Sequence, residues 1–190
     1  MRRQLVSLGV LAVLIGATAV ARGAEPAAGP TGFRAEFIAE VDSVGKKLTN
    51  LAGAVPEEKY GWRPAPGIRS VSEVYVHVAG GNYLLPSFMG VKMPAGIDRD
   101  MEKTITEKAK VIETLKKSLE HARSVAENMS DADLDKKVKT FGGREMTQRA
   151  LLSAMLNHMH EHLGQSIAYA RMNGVAPPWS EGAEPPAKKS

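Results

Sequence analysis

The chain reads as an all-α protein, a four-helix bundle with a long crossover connection. Three observations predict this class. Apolar residues recur at steps of three and four in four separate stretches. Capping residues, prolines and glycines punctuate the intervals between those stretches. No convincing alternation of apolar and polar residues marks a sheet.

The first segment is an address rather than part of the fold. Met1-Arg2-Arg3-Gln4 is a basic start, and residues 5–20 form an apolar run too short to span a bilayer comfortably. Ala19-Val20-Ala21 fits the small-x-small cleavage rule, so residues 1–21 are expected to be a signal peptide and the protein exported, periplasmic or secreted. After cleavage no stable membrane association is expected. The chain has no cysteine, which excludes both disulfides and lipoprotein processing. Its net charge is +4, and losing Arg2 and Arg3 leaves 23 basic against 21 acidic residues. Lysines interleaved with glutamates read as a solvated helix surface, so no nucleic-acid partner is expected.

Residues 22–32 form a Pro/Gly/Ala linker, and the bundle is expected over 33–180. Helix one, 33–53, carries Phe33, Phe37, Val41, Val44, Leu48 and Leu51 on one face. Two prolines and two glycines make 60–67 irregular. The capping box Ser70-Val71-Ser72-Glu73 opens helix two, whose stripe is Val71, Val74 and Val78, with Pro86 and Gly90 bending or ending it. Helix three is expected over 100–129, with Ile105, Ile112, Leu115, Leu119, Ala122, Ala126 and Met129 in register. A polar connection follows over 131–146, where Lys137 to Phe141 is expected to be a short extended piece before Gly142-Gly143. Thr147 caps helix four, which stops at Asn173-Gly174. Residues 181–190, rich in Pro, Glu and Lys, are expected to be a disordered tail.

Three histidines two apart, His158, His160 and His162, concentrate the chemistry. Positions four apart share a helix face, so His158 and His162 can present two imidazoles to one point. His160 is rotated by roughly 200° at 3.6 residues per turn and faces elsewhere, toward solvent. His160 and His121 are both read as solvent-exposed or as outer support of the site rather than as ligands. His77, beside the stripe of helix two, is the natural third ligand, because bundle interiors assemble metal sites from facing helices. Three imidazoles would leave an open coordination position, as catalytic rather than structural sites do. The metal could then activate water, polarise a carbonyl or hold a thiolate.

His158-Met159-His160-Glu161-His162 also matches the H-x-x-E-H pattern of inverted zinc peptidases. Only 28 residues follow, and the later glutamates, Glu181 and Glu184, lie in the tail, so no downstream glutamate ligand is in place. Glu161 remains a candidate base and Gln165 a candidate orienting residue. A helix-interior glycine costs about 1 kcal/mol relative to alanine, so Gly164 predicts close approach of another backbone, with the 62–66 loop as the candidate. Trp62 and Trp179 are read as packing residues able to cover an open metal position. Met155, Met159 and Met172 are read as core fillers.

Residues 55–67, then Ser70-Val71-Ser72-Glu73 and His77, resemble the N-terminal half of the DinB-like family. His158, His162, Gly164-Gln165, Tyr169, Arg171, Asn173-Gly174-Val175 and Pro177-Pro178-Trp179-Ser180 resemble its C-terminal half. The resemblance implies a four-helix bundle and a three-histidine site for a divalent metal ion, commonly zinc, nickel or iron, with His77, His158 and His162 as ligands. It further implies relatives that are thiol-dependent transferases or isomerases, and bundles that often form a homodimer. The expected function is a metal-dependent hydrolase or thiol-dependent transferase acting on a small-molecule substrate. The alternative is a non-catalytic metal-binding or structural interaction module.

Overall fold

Helical periodicity in the sequence becomes four long helices and one short one in the computed structural model, which describes residues 29–98 and 100–180. The expected signal peptide and tail lie outside the described residues, as does the linker up to residue 28. Helix α1 spans Gly32–Ala54, α2 Val71–Ser87, α3 Met101–Thr104, α4 Lys108–Asn128 and α5 Gln148–Met172. Strands β1 (Lys137–Lys139) and β2 (Glu145–Thr147) form an antiparallel hairpin between α4 and α5, so the extended piece near Lys137 gains a partner strand. No described helix is long and apolar enough to cross a membrane.

Both α1 and α2 pack chiefly on α4 and α5, so α1 stands diagonal to α2 and α4 diagonal to α5. An up-and-down bundle would put sequence neighbours side by side. Here two connections cross the bundle, 55–70 as well as the expected 129–147. Tyr60 anchors the first crossing by donating its hydroxyl hydrogen to the Ala52 carbonyl at 2.7 Å. Lys108 ties the start of α4 to the end of α1 through the carbonyls of Gly53 and Val55, at 2.9 and 2.7 Å.

The capping box on α2 forms in full. The Ser70 hydroxyl accepts from the Glu73 amide, and the Glu73 carboxylate accepts from the Ser70 amide at 2.7 Å. Thr147 caps α5 by accepting from the Ala150 amide. At the other end Gly174, at φ +76°, closes a Schellman turn with Val175 bonding back to the Ala170 carbonyl. The core is one cluster, with Phe37, Leu48 and Leu51 of α1 meeting Val111 and Leu115 of α4 and Leu152 and Met155 of α5.

Three expectations need correction. The third helix is not continuous over 100–129, because the backbone is extended at Ile105 and again at Glu107. β-Branched Thr104, Ile105 and Thr106 are weak helix formers. The turn before them is committed elsewhere, with Met101 buried and Glu102 bonded to α2. Met172 is not a core filler; it is 64% exposed on the last turn of α5, whereas Met155 and Met159 are buried as expected. Gly164 has no close neighbour: a Cβ there would meet nothing within 4 Å, so the 62–66 loop does not approach it.

Candidate metal centre

Two helices bring the three histidines together. His158 and His162 share the face of α5 that their spacing dictates, with ring centroids 4.6 Å apart. His77 on α2 faces them, at 4.9 Å from His158 and 4.7 Å from His162. One nitrogen from each ring lies within 4.8 Å of the others, and among the described residues this is the one group of three or more ligating side chains that could hold a metal ion.

The surroundings fix two of the rings. His77 Nδ1 lies 2.7 Å from Glu102 Oε1, and His162 Nδ1 lies 2.8 Å from Gln165 Oε1. A carboxylate and an amide oxygen are acceptors, so both Nδ1 atoms carry the hydrogen and both Nε2 atoms carry a lone pair, that of His77 within hydrogen-bond reach of His158. Each orienting group is held in turn. Arg69 Nε donates to Glu102 at 2.7 Å, and Gln165 donates to the Tyr169 hydroxyl, whose ring stands edge-on to Trp62 at 5.3 Å. Trp62 therefore packs behind the histidine network.

His158 differs. Its Nε2 lies 3.1 Å from Nε2 of His77, while its buried Nδ1 has no hydrogen-bond partner. Gly81 holds it by contact instead. A Cβ at position 81 would sit 2.5 Å from His158 Cε1, a distance that real Cβ atoms do not show. Burial, reinforced by the neighbouring His162 and His77, pushes the pKa of His158 down to about 4. Burial also lowers that of His162, against the opposing hydrogen bond to Gln165. Burial alone would raise the Glu102 carboxyl, but contacts with Arg69 and His77 more than offset it and hold its pKa below the usual range.

These residues fit a divalent ion. Burial favours the neutral form of His158 and His162, which has the lone pair that a metal requires, and histidine–carboxylate pairing is the usual outer support of such a site. Imidazole donors suit zinc, nickel or iron without choosing among them.

Of the other sequence candidates only Gln165 touches the cluster. Gln165 is a support of His162, and Glu161 is exposed on α5 with no hydrogen bond or ion pair among the described residues. His160 is exposed and bonds the Leu156 carbonyl, but His121, on α4, is half-buried rather than turned to solvent, its ring tilted against Tyr83 at 5.1 Å. Sequence reasoning missed Glu102, Arg69 and Gly81. The glycine pair Gly80-Gly81, inside a helix and three to four residues past His77, was a legible signal of close approach; the same rule was applied to Gly164. Glu102 had no such signal, because 25 residues and a loop separate it from His77.

A cavity of about 610 Å³ adjoins the cluster, and His77, His158, Gly81 and Glu102 contribute to its wall. A bundle carrying three convergent histidines at the edge of a chamber defines a class, and comparison with known proteins gives the family. The DinB superfamily model matches residues 40–166, about two-thirds of the chain, and the protein belongs to that superfamily. The uncharacterized protein YjoA of Bacillus subtilis (strain 168) is 24% identical over 132 residues, covering 68% of this chain and 84% of its own. A DinB-like protein from Bacillus cereus ATCC 10987 has a similar fold, with a TM-score of 0.64, 22% identity, and coverage of 77% of this chain and 93% of that one. A mycothiol-dependent maleylpyruvate isomerase shares the fold at a TM-score of 0.53 and 15% identity, covering 70% of this chain and 62% of its own.

Proposed function

We propose that this protein is an exported, divalent-metal-dependent enzyme acting on a small molecule, with His77, His158 and His162 as the metal ligands. The observation that carries this reading is the placement of two of the three histidines in the wall of the 610 Å³ cavity. A purely structural site is closed by protein ligands, whereas this one borders space that a substrate could enter. The bound ion would supply Lewis acidity, stabilising charge on a substrate oxygen or lowering the pKa of a water or thiol.

The chain's own residues do the rest. Glu102 and Gln165 fix the tautomers and tilt of His77 and His162, so that lone pairs and not N–H groups face the centre. Arg69 keeps Glu102 ionised. Glu161, exposed on α5 and outside the chamber wall, is given no part in the reaction. Hydrolysis is the first reading. Thiol dependence is the second, favoured by the fold shared with the mycothiol-dependent isomerase.

The test begins with metal content of tag-free protein. Near-stoichiometric metal in the wild type, lost in His77→Ala and His158→Ala, supports the site; metal-free protein after anaerobic reconstitution sinks it. Turnover of ester and amide panels, with and without added low-molecular-weight thiol, separates the two chemistries. Metal that raises stability while every panel stays silent supports a non-catalytic module instead. Mass spectrometry of exported protein with a new N-terminus at Arg22 would support signal cleavage. An intact N-terminus would overturn it.

A further inference from the structure

We infer that the chamber beside the histidines takes the apolar body of an amphiphilic carboxylate, with its head group turned toward His77 and His158. This rests on the metal reading above for the head group but not for the body.

The wall composition carries the argument. Apart from the histidine end, the chamber is lined by Leu84, Leu85, Met93, Ile97, Met101 and Phe141. These come from three parts of the chain: α2, the 91–101 segment and the β1–β2 hairpin. Phe141 is presented by the hairpin turn and packs edge-on against Phe88 at 4.7 Å. It is 62% exposed, and Leu84 is 40% exposed, so among the described residues large apolar side chains stand at the open side of the chamber. Gly80 adds no side chain to the wall, and Gly81 gives up its side-chain room to the His158 ring at the polar end.

A volume of about 610 Å³ lies within the roughly 300–1,000 Å³ range of small-molecule sites. An entirely polar substrate would leave this wall wet and gain little from it. Most polar groups of the chamber lie together, with Asp98 apart from them. His77, His158 and Glu102 mark one end, and Glu102 is already engaged by Arg69 and His77. Neutral imidazoles around a divalent ion leave net positive charge there, which favours an anionic head. Asp98 on the loop wall disfavours the same head at its position. The ligand is therefore oriented by charge and held by its apolar body.

Calorimetric titration with straight-chain carboxylates of four to ten carbons, and with matched primary alcohols, tests the assignment. In the metal-loaded wild type each added methylene is expected to tighten binding roughly three- to fourfold until the chamber is filled. Carboxylates should bind at least tenfold tighter than alcohols of equal length. Leu84→Asp, at an exposed position that tolerates charge, should flatten the chain-length dependence while metal content is retained; Phe141→Asp is the second variant, on a different element. Affinity independent of chain length in the metal-loaded wild type would overturn the inference, and so would a chain-length dependence that both variants keep. In metal-free His77→Ala the chain-length dependence should persist while the preference for carboxylate over alcohol disappears. If the wild type takes up no metal yet shows a chain-length dependence that both variants flatten, the metal reading fails and the apolar chamber stands.

Discussion

The α1–α4 and α2–α5 interfaces lie in one bundle and obey one helical period, yet they are built in opposite ways. At α1–α4 the helices close on each other. A Cβ at Gly45 would come within 3.1 Å of Leu119, and Leu48, Leu51, Val111 and Leu115 are fully buried. At α2–α5 a glycine again marks the contact, but the room at Gly81 is occupied by an imidazole, and beyond it the chamber stays open. One interface uses small residues to exclude space and the other uses them to admit polar rings. Small residues at a helix contact therefore signal proximity, while the partner side chain decides whether the contact is structural or chemical.

Substitutions on the two sides should separate these roles. The largest effect is expected from His158→Ala, which should reduce bound metal from near one equivalent to near zero with little loss of apo-protein stability, read by elemental analysis and thermal melts. Leu115→Ala, across the other interface, should cost about 2–5 kcal/mol in denaturant unfolding, while its folded fraction keeps its metal. If Leu115→Ala lost metal in proportion to His158→Ala, the two interfaces would not be independent. Glu102→Ala should weaken metal affinity by about 10–100-fold, measured by competition with a chelator, because His77 loses the acceptor that fixes its tautomer.

The glycine pair sharpens the contrast. Gly81→Ala must displace the His158 ring and should lower metal affinity by roughly tenfold, since such sites tolerate about 0.5 Å of misplacement. Gly80→Ala meets only Met101 Sδ at 3.7 Å and should raise stability by about 0.5–1 kcal/mol through helix propensity. Equal effects from the two would remove Gly81 from the site.

The smallest effect is expected from pH at the start of α2. Burial tends to raise the Glu73 carboxyl, but the Lys103 hydrogen bond, the Ser70 amide and Arg63 outweigh it and hold its pKa at about 2. Its ordinary value is 4.5, so between those values the unfolded state binds more protons than the folded one. The Glu73 contribution is thus present above about pH 4.5 and is lost as pH falls toward 2. Unfolding curves of Glu73→Gln should lack that part of the acid sensitivity shown by the wild type.

Much of the frame was legible because its signals are local. The capping box at Ser70–Glu73, the Thr147 cap and the Gly174 stop each operate within a few residues, and each forms as its sequence predicts. The His158–His162 pair was legible for the same reason, since four residues on a helix fix a shared face. The break after Thr104 was not. Periodicity continues through Ile105 into α4, and what interrupts the helix is the attachment of Met101 and Glu102 to α2.

By itself the sequence determined the all-α class, the main helix faces and a pair of imidazoles one turn apart, because backbone hydrogen bonding and helical geometry are set within a few residues. It also carried two separate motifs in the order of the superfamily to which the chain belongs. Only the tertiary structure decided the rest: which of α1 and α4 each helix meets, Glu102 as the acceptor for His77, Gly81 as the seat of His158, and an apolar chamber assembled from α2, a loop and a hairpin. Those features depend on contacts between segments 25 or more residues apart, and no local period encodes which distant side chain will arrive at a given helix face.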